Sequence, residues 1–164
     1  MSSSDYIQKI FAADEIASSV DLGQSSTQDS NRNQVEIFVA SEAIAAGALV
    51  SLDLAKANNG LRLLSVKEAD GTDACPVGVA VTAAVSGAKV EVVIKGIVEE
   101  AKTKGDVISI AVGDALIVNT GGKLHAQAVD EGGAATFNLK PTVAVALEAT
   151  TADGTSRVYV MKNF

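Results

Sequence analysis

The sequence predicts an all-β domain, a compact antiparallel barrel or sandwich over residues 35–164, behind a short helical or flexible N-terminal arm. Three observations carry this. Short runs rich in β-branched residues follow one another from Val35 to Lys162. Glycines at 71, 78, 87, 96, 105, 113 and 121 separate them, close to the rhythm of about 8–12 residues typical of all-β folds. Between 89 and 95, Lys89, Glu91 and Lys95 alternate with Val90, Val92 and Ile94, giving one wet face and one dry face.

The first element is the arm. In residues 4–17, SDYIQKIFAADEIA, Ile7, Ile10 and Phe11 follow the i, i+3, i+4 spacing, Ser4 can cap the N-terminus and Asp5 suits the first turn. One short amphipathic helix is predicted. It needs something to lie against, because helices below about 12–15 residues rarely persist alone in water. Tyr6, Ile7, Ile10 and Phe11 are the densest aromatic–aliphatic cluster outside the β region, and are the candidate docking residues of the arm. Residues 18–34, SSVDLGQSSTQDSNRNQ, are polar and without periodicity. Such a composition buries too little apolar area to offset the entropy of ordering, so it reads as a linker.

From residue 35 the runs VEIFVA, ALVSLDL, LRLLSV, VAVTAAV, KVEVVIK, VISIAV, ALIVN, KLHAQAV, TVAVALEA and RVYVMK read as strands. Ser86-Gly87, Gly121-Gly122, Gly132-Gly133 and Asp153-Gly154 are hairpin or loop signals, because glycine accepts positive φ. The stretch 78–98 reads as a β-hairpin buried on one side, with Gly78 and Gly96 where a bulge or close approach is useful. A weak internal repeat runs through the domain. Gly47 matches Gly113, Asn59-Gly60 matches Gly121-Gly122, and Pro76 with 79–93 echoes Pro141 with 143–160. The order is kept at an offset in the sixties, which implies two related β units, about 40–98 and 106–162.

The apolar content is of an unusual kind. Hydrophobic residues make up 48% of the chain, with 27 Ala and 21 Val, at a net charge of -7 and a mean hydropathy of +0.27. Small side chains make a thin core, and the excess has two readings: an alanine-rich core, or, as favoured here, apolar surface at subunit interfaces and hence a homo-oligomer. No run approaches the ~20 apolar residues of a membrane-spanning helix, and MSSSDYIQKIF lacks the pattern of a secretory signal. A soluble protein folded in a reducing cytoplasm is expected. With a pI near 4.6 and thirteen scattered Lys and Arg, the chain has no basic cluster for nucleic-acid phosphates.

Motifs for chemistry are sparse. The single Cys75 excludes an internal disulfide framework or a multi-cysteine zinc site, and the single His125 excludes paired-histidine metal motifs. Thr120-Gly121-Gly122-Lys123 is no phosphate loop: Ile117 stands where the first glycine belongs and Leu124 where Ser or Thr would hold magnesium. His125 in an alternating strand, and Cys75 before Pro76, each lack a local partner set for nucleophilic catalysis. Asp14-Glu15, Glu99-Glu100 and Asp130-Glu131 are adjacent pairs, and neighbours in a strand point to opposite faces, unlike glycosidase carboxyls across a cleft. No catalytic residues, cofactor or metal site are expected.

One further pattern is an ordered set of signatures. EAIAAGALVSL (42–52), GVAVT (78–82), VIKGIV (93–98), VGDALIV (112–118), TGGKL (120–124), VAVALEA (143–149) and VYV (158–160) follow the arm. Together, over residues 35–164, they resemble the capsid decoration, or cement, proteins of tailed bacteriophages. In that family a GVALEA phrase commonly precedes the last strand, and Val143 stands here in place of its glycine.

The resemblance implies a β-clip or tulip-like fold and a non-enzymatic virion protein. Such a protein lies in the host cytoplasm before assembly and then on the outer capsid surface. It would bind the major capsid protein and bridge neighbouring capsomers. It also implies a homo-oligomer, with a trimer favoured. The apolar cluster Tyr6, Ile7, Ile10 and Phe11 has two readings: a capsid-binding contact, or a helix packed on its own β domain. The alternatives are a head-fibre or receptor-binding β domain, and a small β-barrel enzyme acting through Cys75 or His125.

Overall fold

The computed structural model describes residues 33–55, 64–73, 75–106, 108–127 and 141–161. Tyr6, Ile7, Ile10 and Phe11, the linker up to residue 32, the Asn59-Gly60 pair of the repeat and the Gly132-Gly133 signal lie outside the described residues, while Gln34, read as the end of the linker, opens the first strand. Among the described residues the strands are β1 (Gln34–Ala40), β2 (Leu49–Leu52), β3 (Ser65–Glu68), β4 (Pro76–Ala80), β5 (Lys89–Thr103), β6 (Ala115–Val118), β7 (Leu124–Ala126), β8 (Ala144–Ala146) and β9 (Gly154–Val160). No helix occurs among the described residues, and the fold is all-β, as the turn rhythm and alternation predict.

The 15-residue β5 belongs to two closed rings of strands. Its first half pairs antiparallel with β4 and β1; β1–β3, β3–β2 and β2–β4 then close a first barrel. Its second half pairs with β9 and, at Thr103↔Leu124, with β7; β7–β6, β6–β8 and β8–β9 close a second barrel. Two pairings, β1–β3 and β5–β7, are parallel, and the rest are antiparallel. Gly96 stands where β5 passes from one barrel to the other, at φ 126°, a backbone angle that side chains oppose. Closure leaves no open edge in either ring, which removes the template that unpaired strands offer to other chains.

Alternation along the strands fills each barrel. Phe38, Val50, Val66, Val90, Val92 and Ile94 are buried in the first; Ile110, Leu116, Val118, Leu124, Val158 and Val160 are buried in the second. Leu49 and Val79 point away from the first core and, with Ala69, join the core of the second. Neighbouring residues of one strand face opposite sides, so β2 serves two cores at once. Burying a Val, Leu or Ile side chain contributes about 1.5–3 kcal/mol.

Two of the predicted runs are placed differently. Of LRLLSV, read as a strand over 61–66, residues 61–63 lie outside the described residues, Leu64 stands before the strand, and β3 spans Ser65–Glu68. VISIAV supplies only an isolated bridge, Ile110↔Thr150, because Asp114 accepts a hydrogen bond from Ala111 N–H at 2.8 Å and bends the chain into a turn.

The barrels share one hydrogen-bond scheme. The bridge Ile44↔Ala84 matches Ile110↔Thr150, and from 44 to 110 and from 84 to 150 the step is 66 residues. Gly47 N–H donates to Ala80 O and Gly113 N–H to Ala146 O, both at 2.8 Å; Val81 N–H donates to Glu91 O and Leu147 N–H to Arg157 O, both at 2.9 Å. The second half of β5 occupies the place of β1. Phe38 lies opposite Val90 as Ala101 lies opposite Ser156, and Val39 opposite Lys89 as Lys102 opposite Thr155. Ile37 faces Glu91, whereas a bulge puts Glu99 and Glu100 at the corresponding place.

Candidate interaction surfaces

Three features among the described residues are candidates: two surfaces and a depression. The first is internal. The 45–48 turn of the first barrel rests on the second half of β5 and on the turn between β6 and β7. Lys102 N–H donates to Gly47 O at 2.8 Å, Leu49 N–H to Gly122 O at 2.7 Å, and Gly122 N–H to Ala69 O at 2.9 Å. Both glycines are needed for so close an approach. A Cβ on Gly47 (φ 74°) would collide with the Glu100 carbonyl oxygen, and one on Gly122 (φ 65°) would lie 2.9 Å from the Ala48 methyl carbon. Leu49 and Ala69 are buried under this contact.

The corresponding turn of the second barrel, 111–114, is bare. Gly113 has φ 93° but a Cβ there meets nothing within 4 Å, and the adjacent Val112 is 65% exposed. Ala115 and Gln127, at the positions of Leu49 and Ala69, are half-buried. The first barrel in turn carries apolar side chains where the second offers β5 to the internal contact. Ile37 is 60% exposed on β1 and Val35 lies beside it, also exposed; Leu54, just after β2, and Leu64, just before β3, are exposed as well. Composition anticipated leftover apolar surface but not these residues. The legible signal was VEIFVA, whose Val35, Ile37 and Val39 make one face apolar while Phe38 and Ala40 make the other apolar too.

Cys75 lines a depression with Leu52, Asp53, Leu54, Ala55, Lys67 and Asp73. Asp73 organises it: its carboxylate accepts from Ser51 Oγ at 2.8 Å and Asp70 N–H at 2.7 Å, and pairs with Lys67 Nζ at 2.9 Å. Burial pushes the Asp73 carboxyl up, but the bonds from Asp70, Lys67 and Ser51 outweigh it and hold the carboxyl below the ordinary carboxylate range. The hydrogen bond to Asp73, against some burial, raises the Lys67 ammonium above its ordinary value. An acid held ionised on three donors is a clamp for the β3–β4 connection; it has no proton to give near neutrality. His125 is on β7 in the second barrel and does not line this depression.

Two other acidic residues form ion pairs at the surface. Glu99 pairs with Arg157 Nε, and Asp153 with Lys123 Nζ at 2.6 Å; the Lys123 bond holds the Asp153 carboxyl below its usual range. Asp14-Glu15 and Asp130-Glu131 lie outside the described residues. Among the described residues, no group of three or more His, Cys, Asp or Glu side chains could hold a metal ion, and no helix is long and apolar enough to cross a membrane.

Six solved chains match this structure. One is the crystal structure of the head fibre gp8.5 N base of bacteriophage phi29, at 14% identity and TM-score 0.52, covering 79% of this chain and 95% of that one. At that identity the likeness is one of fold. No curated protein matches the sequence. The family described as phage cement protein matches residues 28–162, a span that takes in both barrels. As the ordered signatures from 42 to 160 imply, this chain belongs to the phage cement protein family and is a structural protein of the phage virion.

Proposed function

We propose that the protein cements a tailed-phage head. It binds the major capsid protein on the outer surface of the shell, bridges neighbouring capsomers and stabilises them, without catalysing a reaction. Before assembly it lies in the host cytoplasm. It acts as a homo-oligomer, a trimer favoured, and Tyr6, Ile7, Ile10 and Phe11 of the arm supply part of its hold on the shell. The observation that carries this reading is the family match over the whole two-barrel unit. Two features support it. Each barrel is closed, so that self-pairing of strands does not compete with a specific contact. Several large apolar side chains are nevertheless exposed, as a surface awaiting a partner requires.

The arm's share follows from the same energetics. Each large apolar side chain it buries contributes about 1.5–3 kcal/mol, offset in part by ordering the backbone, and linked subunits multiply a modest contact. Quantitative mass spectrometry of purified virions tests the role: hundreds of copies per particle support a cement, whereas a handful indicate a fibre or receptor-binding part. Deleting residues 2–17 and mixing the product with expanded, undecorated shells tests the arm. Weakened co-sedimentation with unchanged β signal supports it, and undiminished binding assigns the hold to the barrels alone.

A further inference from the structure

The two barrels depend on each other unequally. Among the described residues, the buried core of the first is supplied wholly by its own strands and turns, from Phe38 to Ile94. The core of the second is shared. Leu49, Ala69 and Val79 of the first barrel belong to it, with Leu116, Leu124 and Val158 of the second. The seams that close the rings differ in the same direction. The first closes where β1 pairs with β3, at Val39↔Ser65 and Ala40↔Val66; the second closes at the single pair Thr103↔Leu124. Thr103 thus holds the place of Ala40. Both are fully buried, but the Thr103 hydroxyl has no hydrogen-bond partner. A buried hydroxyl without a partner weakens the seam it sits in, whereas the Ala40 methyl leaves no polar atom to satisfy.

We infer that the second barrel is a conditional cover: it opens as a unit while the first stays folded, and its opening uncovers Leu49, Ala69 and Val79. Proteins open in contiguous cooperative units, and the unit with the poorer set of buried contacts opens first. The reverse order is closed to this chain. Loss of the first barrel would strip three residues from the second core. It would also remove the partners of Gly122, whose N–H donates to Ala69 O at 2.9 Å and whose carbonyl accepts from Leu49 N–H at 2.7 Å.

This hierarchy makes two neighbours on one strand behave differently. Val50 belongs to the first core, which the native and the opened forms both keep. Val50→Ala therefore leaves the opening step unchanged and eases only complete unfolding. Leu49 is buried against the second barrel and loses that burial on opening. Leu49→Ala therefore eases opening and complete unfolding by the same factor, as Leu116→Ala does from within the second barrel. The inference concerns the chain by itself, so that its failure leaves the cement role untouched.

Amide hydrogen exchange of the full-length chain tests this, followed by NMR under conditions where protection reads the opening equilibrium. Ala80 N–H donates to Ala48 O at 2.9 Å and Ala146 N–H to Asp114 O at 3.0 Å, the same place in the two barrels. In the wild type, Ala146 should be at least about tenfold less protected than Ala80. Leu49 N–H, bonded to Gly122 O across the contact, should exchange with Ala146 although it lies on β2. Val50→Ala should lower the protection of Ala80 toward that of Ala146 and leave Ala146 unchanged. Leu49→Ala and Leu116→Ala should lower both alike, by about tenfold or more. Equal protection of Ala80 and Ala146 in the wild type overturns the inference, whichever variants fold. So does a less protected Ala80, a Leu49 amide as protected as Ala80, or an Ala146 whose exchange Val50→Ala speeds as much as that of Ala80.

Discussion

The turns at 45–48 and 111–114 have the same backbone scheme and opposite surroundings. Both place a positive-φ glycine before a strand, and both donate from that glycine to a strand 33 residues on, Gly47 to Ala80 and Gly113 to Ala146. One is pressed against β5 so closely that its glycine has no room for a methyl group; the other faces open space. The difference teaches that the turn's conformation is set within each barrel, while its burial is set by what lies beyond. Gly47 is required twice, for its φ and for its contact. Gly113 is required once.

The largest effect should come from Gly47→Ala, which combines a disfavoured φ with a collision against backbone. A loss of at least about 4 kcal/mol, or failure to fold, is expected, read by urea denaturation. A loss near 1 kcal/mol would mean that the barrels part easily at this contact. Next is Leu49→Ala, which removes a fully buried side chain from the core shared by both barrels. It should cost about 2–5 kcal/mol, and it gives the first barrel the alanine that the second has at Ala115.

A smaller effect sharpens a second difference. Ser51 and Lys67 are cross-strand partners in the first barrel, clamped by Asp73, where the second pairs Ile117 with His125. Asp73→Asn should cost about 1–2 kcal/mol, allowing for partial solvent screening. The pH dependence has a definite sign. The folded carboxyl lies below its unfolded value of 3.8, so its stabilisation is fully present above that value and is lost as pH falls through the folded pKa. Lys67 is raised above 10.5, so its share is present below that value and is lost as pH rises through its folded pKa. Thermal melts of wild type and variant should differ by a constant amount across neutrality and converge in acid below about pH 4. A gap that persists in acid would assign the effect to packing. Gly113→Ala should have the smallest effect, about 1 kcal/mol from φ alone, checked by the same denaturation; a cost matching that of Gly47→Ala would erase the contrast between the turns.

Much of the fold was legible because its strands announce themselves by alternation and its turns by glycine. Ser86-Gly87 and Gly121-Gly122 are turns, with Gly87, Gly121 and Gly122 at positive φ, and Gly78 makes the close approach expected of it, against the Val93 carbonyl. The match of Gly47 to Gly113 holds down to individual hydrogen bonds. What stayed hidden depends on distant partners. No local pattern shows that β5 divides between two barrels, or that β1 runs parallel to β3. VISIAV alternates like a strand, yet the chain turns aside where Ala111 N–H donates to the Asp114 carboxylate. The exposed Ile37 could be read as one face of an apolar strand, but not as the face left bare, since that depends on what the second barrel covers.

The cement role is tested most directly on heads themselves. Expanded, undecorated particles would be heated with and without saturating full-length protein, and rupture followed by release of packaged DNA. Bound protein should raise the rupture temperature and saturate at a fixed number of copies per capsomer. Saturable binding that leaves the rupture temperature unchanged, or no binding at all, would contradict the cement role.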